Sequence, residues 1–133
     1  MREPELKIAL AGNPNCGKTT LFNAFTGARL KAANFPGVTV EIKEREFEAC
    51  EKTVRLFDLP GTYSLDAASE EERLACDFIS GKVGGADVII NVADASCLER
   101  SLYLTLQLLE INIPTVLCLN MTDIVKRRGM HLD

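Results

Sequence analysis

The chain has 133 residues, of which 47% are hydrophobic and 26% charged, with 15 basic against 19 acidic side chains for a net charge of −4. That length suits one domain with a core of its own, without disulfides or metals to staple it. The acidic balance and the absence of a long basic tract argue against nucleic-acid binding as the main task. Leu6 to Ala11 reads as a buried first strand, and it runs into Gly12-Asn13-Pro14-Asn15-Cys16-Gly17-Lys18-Thr19, a match to the phosphate-loop pattern G-x-x-x-x-G-K-[ST]. Lys18 to Thr26 reads as a helix with Leu21, Phe22, Ala24 and Phe25 on its apolar face and Gly27 as C-cap. Residues 28–37, with Pro36-Gly37, read as a loop. Val38, Val40 and Ile42 alternate with polar residues as in a half-buried strand near a sheet edge, and Thr53 to Asp58 supplies a strand to pair with it antiparallel.

Beyond Asp58-Leu59-Pro60-Gly61 the chain is rich in turn residues up to Ser69. Ser69 and Glu72 have capping-box spacing for a helix to about Ser80, with Glu70, Glu71 and Glu72 suited to its N-terminus. Val88 to Ala93 is a continuous apolar run, expected of a central parallel strand. Ser96 and Glu99 repeat the capping-box spacing, and Leu98, Leu102, Leu106 and Leu109 form a helical stripe expected to face the core. Pro114 to Leu119 gives another buried strand, and a last helix starts near Thr122. Strands alternating with helices predict a doubly wound α/β sheet, mostly parallel with one antiparallel edge strand. Such sheets bind ligands at the carboxyl ends of their strands, where every motif here falls.

No stretch approaches the ~18 apolar residues of a membrane span, and Met1 to Glu5 lacks the apolar core of a signal peptide, so a soluble segment is expected. The five cysteines (Cys16, Cys50, Cys76, Cys97, Cys118) form no C-x-x-C pair and suit a reducing compartment.

The phosphate loop points to a nucleoside triphosphate. Its glycines let successive backbone N–H groups converge on an anion, Lys18 reaches the β- and γ-phosphates, and the Thr19 hydroxyl is a hard ligand for Mg²⁺. Asp58, at a strand tip opposite that loop, suits a Mg²⁺-associated carboxylate, and Gly61 allows its N–H to approach the γ-phosphate. Asn120-Met121-Thr122-Asp123 points to guanine. The Asp123 carboxylate can accept from the ring N–H and the exocyclic amine, whereas adenine offers an acceptor in place of that ring donor. Asn120 would brace the loop and touch the base.

On these residues the chain resembles the Ras-like GTPase superfamily and, within it, the G domain of FeoB-type ferrous-iron transporters. The most specific stretches are residues 12–23, Asn34-Phe35-Pro36-Gly37-Val38-Thr39-Val40-Glu41, Asp58-Leu59-Pro60-Gly61-Thr62-Tyr63-Ser64-Leu65, and Asn120 to Asp123. The resemblance implies one G domain over residues 1–133, stopping before the last strand and helix of that fold and so leaving a sheet edge that invites association between copies. It implies GTP or GDP with Mg²⁺ as ligands, and switches at 28–39 and 59–69. Within them Gly37, Val38 and Thr39 meet the nucleotide and Thr39 ligates Mg²⁺. It places the residues Gly12 to Thr20, with Asp58, Pro60, Gly61, Asn120, Met121 and Asp123, around the nucleotide, and Lys18, Thr39, Gly61 and Asn15 in catalysis. It implies a K⁺ ion at Asn15, with carbonyls near Ala33 and Phe35 completing the site.

Two departures stand out. Thr62 follows Gly61 where many small GTPases have a water-orienting glutamine, so slow intrinsic hydrolysis is expected. Met121 stands where many have lysine, which predicts modest nucleotide affinity. The expected protein is thus a GTP-hydrolysing switch on the cytoplasmic face of the cell membrane, joined to a downstream transporter domain and regulating Fe(II) uptake. Its rivals are a stand-alone GTPase acting on ribosome or tRNA, a non-catalytic nucleotide sensor, and an ATPase.

Overall fold

The computed structural model describes residues 5–25, 29–35, 40–66 and 69–129. In chain order the elements are β1 (Glu5–Gly12), α1 (Lys18–Asn23), β2 (Arg29–Ala33), β3 (Ile42–Ala49), β4 (Lys52–Asp58), α2 (Glu70–Ser80), β5 (Val88–Asp94), a 3₁₀ turn (Ala95–Cys97), α3 (Leu98–Leu109), β6 (Thr115–Asn120) and α4 (Thr122–Arg127). The strands form one sheet in the order β2-β3-β4-β1-β5-β6. β1 lies between β4 and β5, parallel to both, and β6 runs parallel to β5. β3 is antiparallel to β4, and β2 is antiparallel to β3. This is the doubly wound, mostly parallel sheet expected, with its antiparallel part on one side.

The near-continuous apolar runs of β1 and β5 follow from burial on both faces. Ala9, Ala11, Phe57 and Ile89 join Leu74, Phe78 and Ile79 of α2 and Leu104 and Leu108 of α3 in one core. Leu10, Leu56 and Val92 point the other way and pack with Phe22 and Cys16. The carboxyl ends of β1, β4, β5 and β6 therefore finish together, between helices, where the site motifs lie.

Local chemistry sets several boundaries. Ser69 caps α2 as expected, its hydroxyl accepting from the Glu72 N–H at 3.1 Å, and Gly81 closes the helix in the left-handed region at φ 85°. Cys50 and Glu51, at φ 51° and 62°, make the two-residue turn between Ala49 and Lys52 that joins β3 to β4.

Several expectations are corrected. Residues 29–33 are not loop; they form the edge strand β2, whose Lys31 is paired with Glu46 across the ladder. The strand read over 38–43 begins only at Ile42 and continues to Ala49, because its partner β4 supplies ladder bonds over that longer range. α1 ends at Asn23, three residues earlier than expected, with Ala24 as its C-cap; Gly27 lies outside the described residues. In α3 the buried face is Ser101, Leu104, Thr105 and Leu108, while Leu106 and Leu109 are 63% and 65% exposed. Two small polar residues displaced the leucine stripe because each finds a partner under the helix. The Asp94 N–H donates to Ser101 Oγ at 3.1 Å, and Thr105 Oγ1 donates to Asn91 Oδ1. The same region lacks the expected Ser96 cap. Asp94 takes that role for the 3₁₀ turn, accepting from the Ser96 N–H at 2.9 Å. The last strand was expected to be buried and is not: among the described residues β6 pairs with β5 alone, and Val116, Leu117 and Leu119 are exposed there.

Candidate functional site

The loop from Gly12 to Gly17 bends back over the tips of β1 and β5. Gly12 is required by space: a Cβ there would lie 2.6 Å from the Val92 carbonyl oxygen and 2.8 Å from Cys16 Sγ. Gly17, at φ 86°, has no room either, since its Cβ would fall 2.0 Å from Asn120 Nδ2. Asn15 also adopts the left-handed region, at φ 63°, which asparagine tolerates better than most residues, and it is exposed. Asn13, Pro14, Asn15, Cys16, Gly17, Lys18, Thr19, Thr20 and Gly61 line a pocket of about 380 Å³. Gly61 belongs to it because the chain after β4 touches the loop: a Cβ on Gly61 would sit 2.9 Å from Pro14 Cα. The Thr62 N–H donates to the Gly12 carbonyl at 2.9 Å and pins this contact.

Charge is concentrated at the same place. Lys18 Nζ lies 2.6 Å from Asp58 Oδ1, each side chain being 9% exposed. A buried ammonium and a buried carboxylate at that distance must balance each other, and each is available to a phosphate or a cation that displaces the other. Asn13 is buried, and neither polar atom of its amide has a partner among the described residues.

The last strand brings the second motif to the first. Asn120 ends β6 and donates from Nδ2 to the Cys16 carbonyl at 3.0 Å, bracing the phosphate loop as the sequence predicts. Met121, at φ 61°, carries its terminal methyl to 3.3 Å from where a Gly17 Cβ would be. Asp123 is exposed and only loosely tied to Arg127 at 3.7 Å, an i,i+4 pair that contributes little. Its carboxylate faces solvent with acceptor capacity to spare.

Not every expected residue joins this cluster. Gly37, Val38 and Thr39 lie outside the described residues. Ala33 closes β2 opposite Ile42, and Phe35 packs edge-on against Phe78 at 5.8 Å. Cys16, at a helix start, is not an activated thiol: burial pushes its pKa above the ordinary value, and the nearby Lys18 offsets this only in part. Thr62 is fully buried, its hydroxyl donating to the Ser64 carbonyl at 2.6 Å with Glu72 Oε2 at 3.2 Å, so it faces away from the pocket. Asp94, directly opposite Asn120 at the tip of β5, is engaged in capping the 3₁₀ turn.

A family model described as ferrous iron transport protein B matches residues 6–133. The chain belongs to that FeoB family. It is 53% identical to the Fe(2+) transporter FeoB of Salmonella typhimurium and 52% identical to that of Escherichia coli strain K12, in each case over 97% of this chain and 17% of the relative. The chain therefore spans about a sixth of the length of the curated FeoB proteins it matches. Among solved FeoB structures, the cytosolic domain of T. maritima FeoB in a GDP form superposes with a TM-score of 0.88 at 47% identity, covering all of this chain and 51% of that one. The cytosolic domain of L. pneumophila FeoB gives 0.82 at 51% identity over 92% and 52% of the two chains. The FeoB G-domain from Methanococcus jannaschii gives 0.79 at 44% identity over 98% and 76%. In this FeoB-family chain, among the described residues, no helix is long and apolar enough to cross a membrane. Nor do three or more His, Cys, Asp or Glu side chains gather as a metal cage.

Proposed function

We propose that this chain is the G domain of a longer FeoB polypeptide, binds GTP and GDP, hydrolyses GTP, and regulates Fe(II) uptake from the cytoplasmic side of the membrane. The single observation that carries the reading is the Lys18–Asp58 pair. An ammonium from the start of α1 and a carboxylate from the end of β4 meet at 2.6 Å beside a glycine-cornered loop. A terminal phosphate takes Lys18 from Asp58, and the freed carboxylate then faces the cation side of the site.

The donors fit Mg²⁺ held in part by the substrate. Thr19 offers an exposed hydroxyl beside Lys18, Asp58 a carboxylate, and Thr39 a second hydroxyl by family resemblance, hard oxygen donors suited to an ion that shares phosphate ligands. Asn15 is the residue that would hold K⁺, its exposed amide standing at the pocket. These cations would supply positive charge at the phosphate oxygens as negative charge develops there. The protein's own groups do the rest. Lys18 and the loop N–H groups hold the phosphates, and Gly61 brings its N–H alongside. Loss of the γ-phosphate frees Gly61 and Thr39, and the two switches relax. With Thr62 turned inward, hydrolysis is slow unless K⁺ at Asn15 assists it.

Guanine selectivity rests on Asp123, whose carboxylate accepts from the two base donors. Each such charge-assisted bond contributes about 1.5–3 kcal/mol, so Asp123→Ala should weaken GDP binding by roughly 10²- to 10⁴-fold while leaving ATP binding as weak as before. Calorimetry with GDP and ATP tests this. Tighter ATP than GDP binding by the native chain, or no change in Asp123→Ala, would support an adenine nucleotide instead.

A further inference from the structure

The segment after Gly61 is fastened at two points on α3 that the nucleotide site does not account for. The Leu65 N–H donates to Gln107 Oε1 at 2.7 Å, and the Arg100 guanidinium stands 5.3 Å from the centre of the Tyr63 ring. Residues 100 and 107 are two helical turns apart on one face of α3, so the segment lies along that face. At its other end the segment is the one whose Thr62 N–H reaches the Gly12 carbonyl and whose Gly61 abuts Pro14. Cys76 Sγ also donates to the Leu65 carbonyl, at 3.4 Å, but a thiol is a weak donor. An amide oxygen accepting a backbone N–H is the stronger hold.

We propose that Gln107, assisted by Arg100, is a positioning residue for GTP turnover: it fixes residues 62–66 on α3 so that Gly61 stays against the phosphate loop. The inference rests on the GTPase reading above. It has a definite kinetic sign. Gly61 serves the terminal phosphate, so loosening its support lowers the rate of phosphate release and leaves GDP, which lacks that phosphate, bound as before.

Gln107→Met removes the acceptor while keeping length and helix propensity, and Gln107→Glu keeps an acceptor. In the purified chain, Gln107→Met should lower kcat for phosphate release about three- to tenfold, the worth of one net hydrogen bond, with KM for GTP and Kd for GDP within about twofold of native. Gln107→Glu should restore kcat. A native or raised kcat in Gln107→Met, a parallel loss of GDP affinity, or a Gln107→Glu variant as slow as Gln107→Met would overturn the proposal. If the native chain releases no phosphate, the GTPase reading itself fails, and the arms are thereby distinguished. Should Gln107→Met not fold, Arg100→Met, altered only at an exposed side chain, should show the same kcat-only loss, and native kcat there would overturn the idea. The chain has no tryptophan, so Tyr63→Trp adds a single fluorophore to the segment. Its emission should differ between a GTP analogue and GDP, and that difference should vanish on adding Gln107→Met; an undiminished difference contradicts the role.

Discussion

Lys18, Asp58 and Asn120 lie far apart in sequence, yet Lys18 and Asp58 meet, and Asn120 reaches the phosphate loop, because β1, β4, β5 and β6 run parallel and end on one side of the sheet. Motif and order identified these three together: the phosphate-loop pattern pointed to Lys18, and Asp58 and Asn120, each ambiguous alone, gained meaning from their place after it at strand ends. Cys16 shows the limit of such reasoning. Its position at a helix start suggests a lowered thiol pKa, but burial outweighs that and raises it; Cys76 is raised for the same reason, with Asp77 adding to the effect. A raised pKa means less thiolate at a given pH, so reactivity at these two sites should climb only at higher pH. Iodoacetamide at pH 7.5, followed by peptide mass mapping, should therefore label exposed Cys50 well before Cys16 and Cys76. Early labelling of Cys16 would mean that the loop opens far more than its buried packing implies. Asn13 was legible as part of the loop pattern, but its buried, unpartnered amide was not, because pairing depends on three-dimensional neighbours.

The β3–β4 hairpin turns on Cys50 and Glu51, both at positive φ, where neither residue type is favoured. Each carries backbone strain that Asn-Gly would relieve, so Cys50→Asn with Glu51→Gly should stabilise the chain by about 1 kcal/mol and raise Tm by several degrees. Thermal melting followed by circular dichroism measures this; an unchanged or lower Tm would show that the turn is held by its flanking strands rather than strained. Such elements also show what the sequence discloses. β1, β4, β5 and the Ser69-capped α2 were readable because burial on both faces, alternation and capping chemistry are local signals; β6 was found as an apolar run, but its exposure was not. β2 was not readable: an edge strand with Arg29 and Lys31 in it resembles a solvated loop, and only its pairing with β3 defines it. The orientation of α3 was misread for a related reason. Leucines outnumber polar residues on the expected face, but Ser101 and Thr105 are drawn inward by hydrogen bonds to β5 that no periodicity can reveal.

The whole molecule combines a mostly parallel sheet with a segment after β4 that meets the phosphate loop through Gly61 and Thr62. The chain belongs to the FeoB family, and the geometry around Lys18 supports the proposal that it cleaves a phosphoanhydride. Thr62 faces inward, away from the pocket, and in the proposed mechanism the burden of catalysis therefore falls on charge at the phosphates and on Asn15. This account is tested most directly by the initial rate of multiple-turnover phosphate release from GTP with Mg²⁺, compared in K⁺ and in Na⁺ for the native chain and Asn15→Ala. It predicts turnover that is clearly faster in K⁺ than in Na⁺ for the native chain, and equally slow in both salts for Asn15→Ala. No turnover by the native chain in either salt would contradict GTP hydrolysis, and a K⁺ preference that survives in Asn15→Ala would contradict the place given to Asn15.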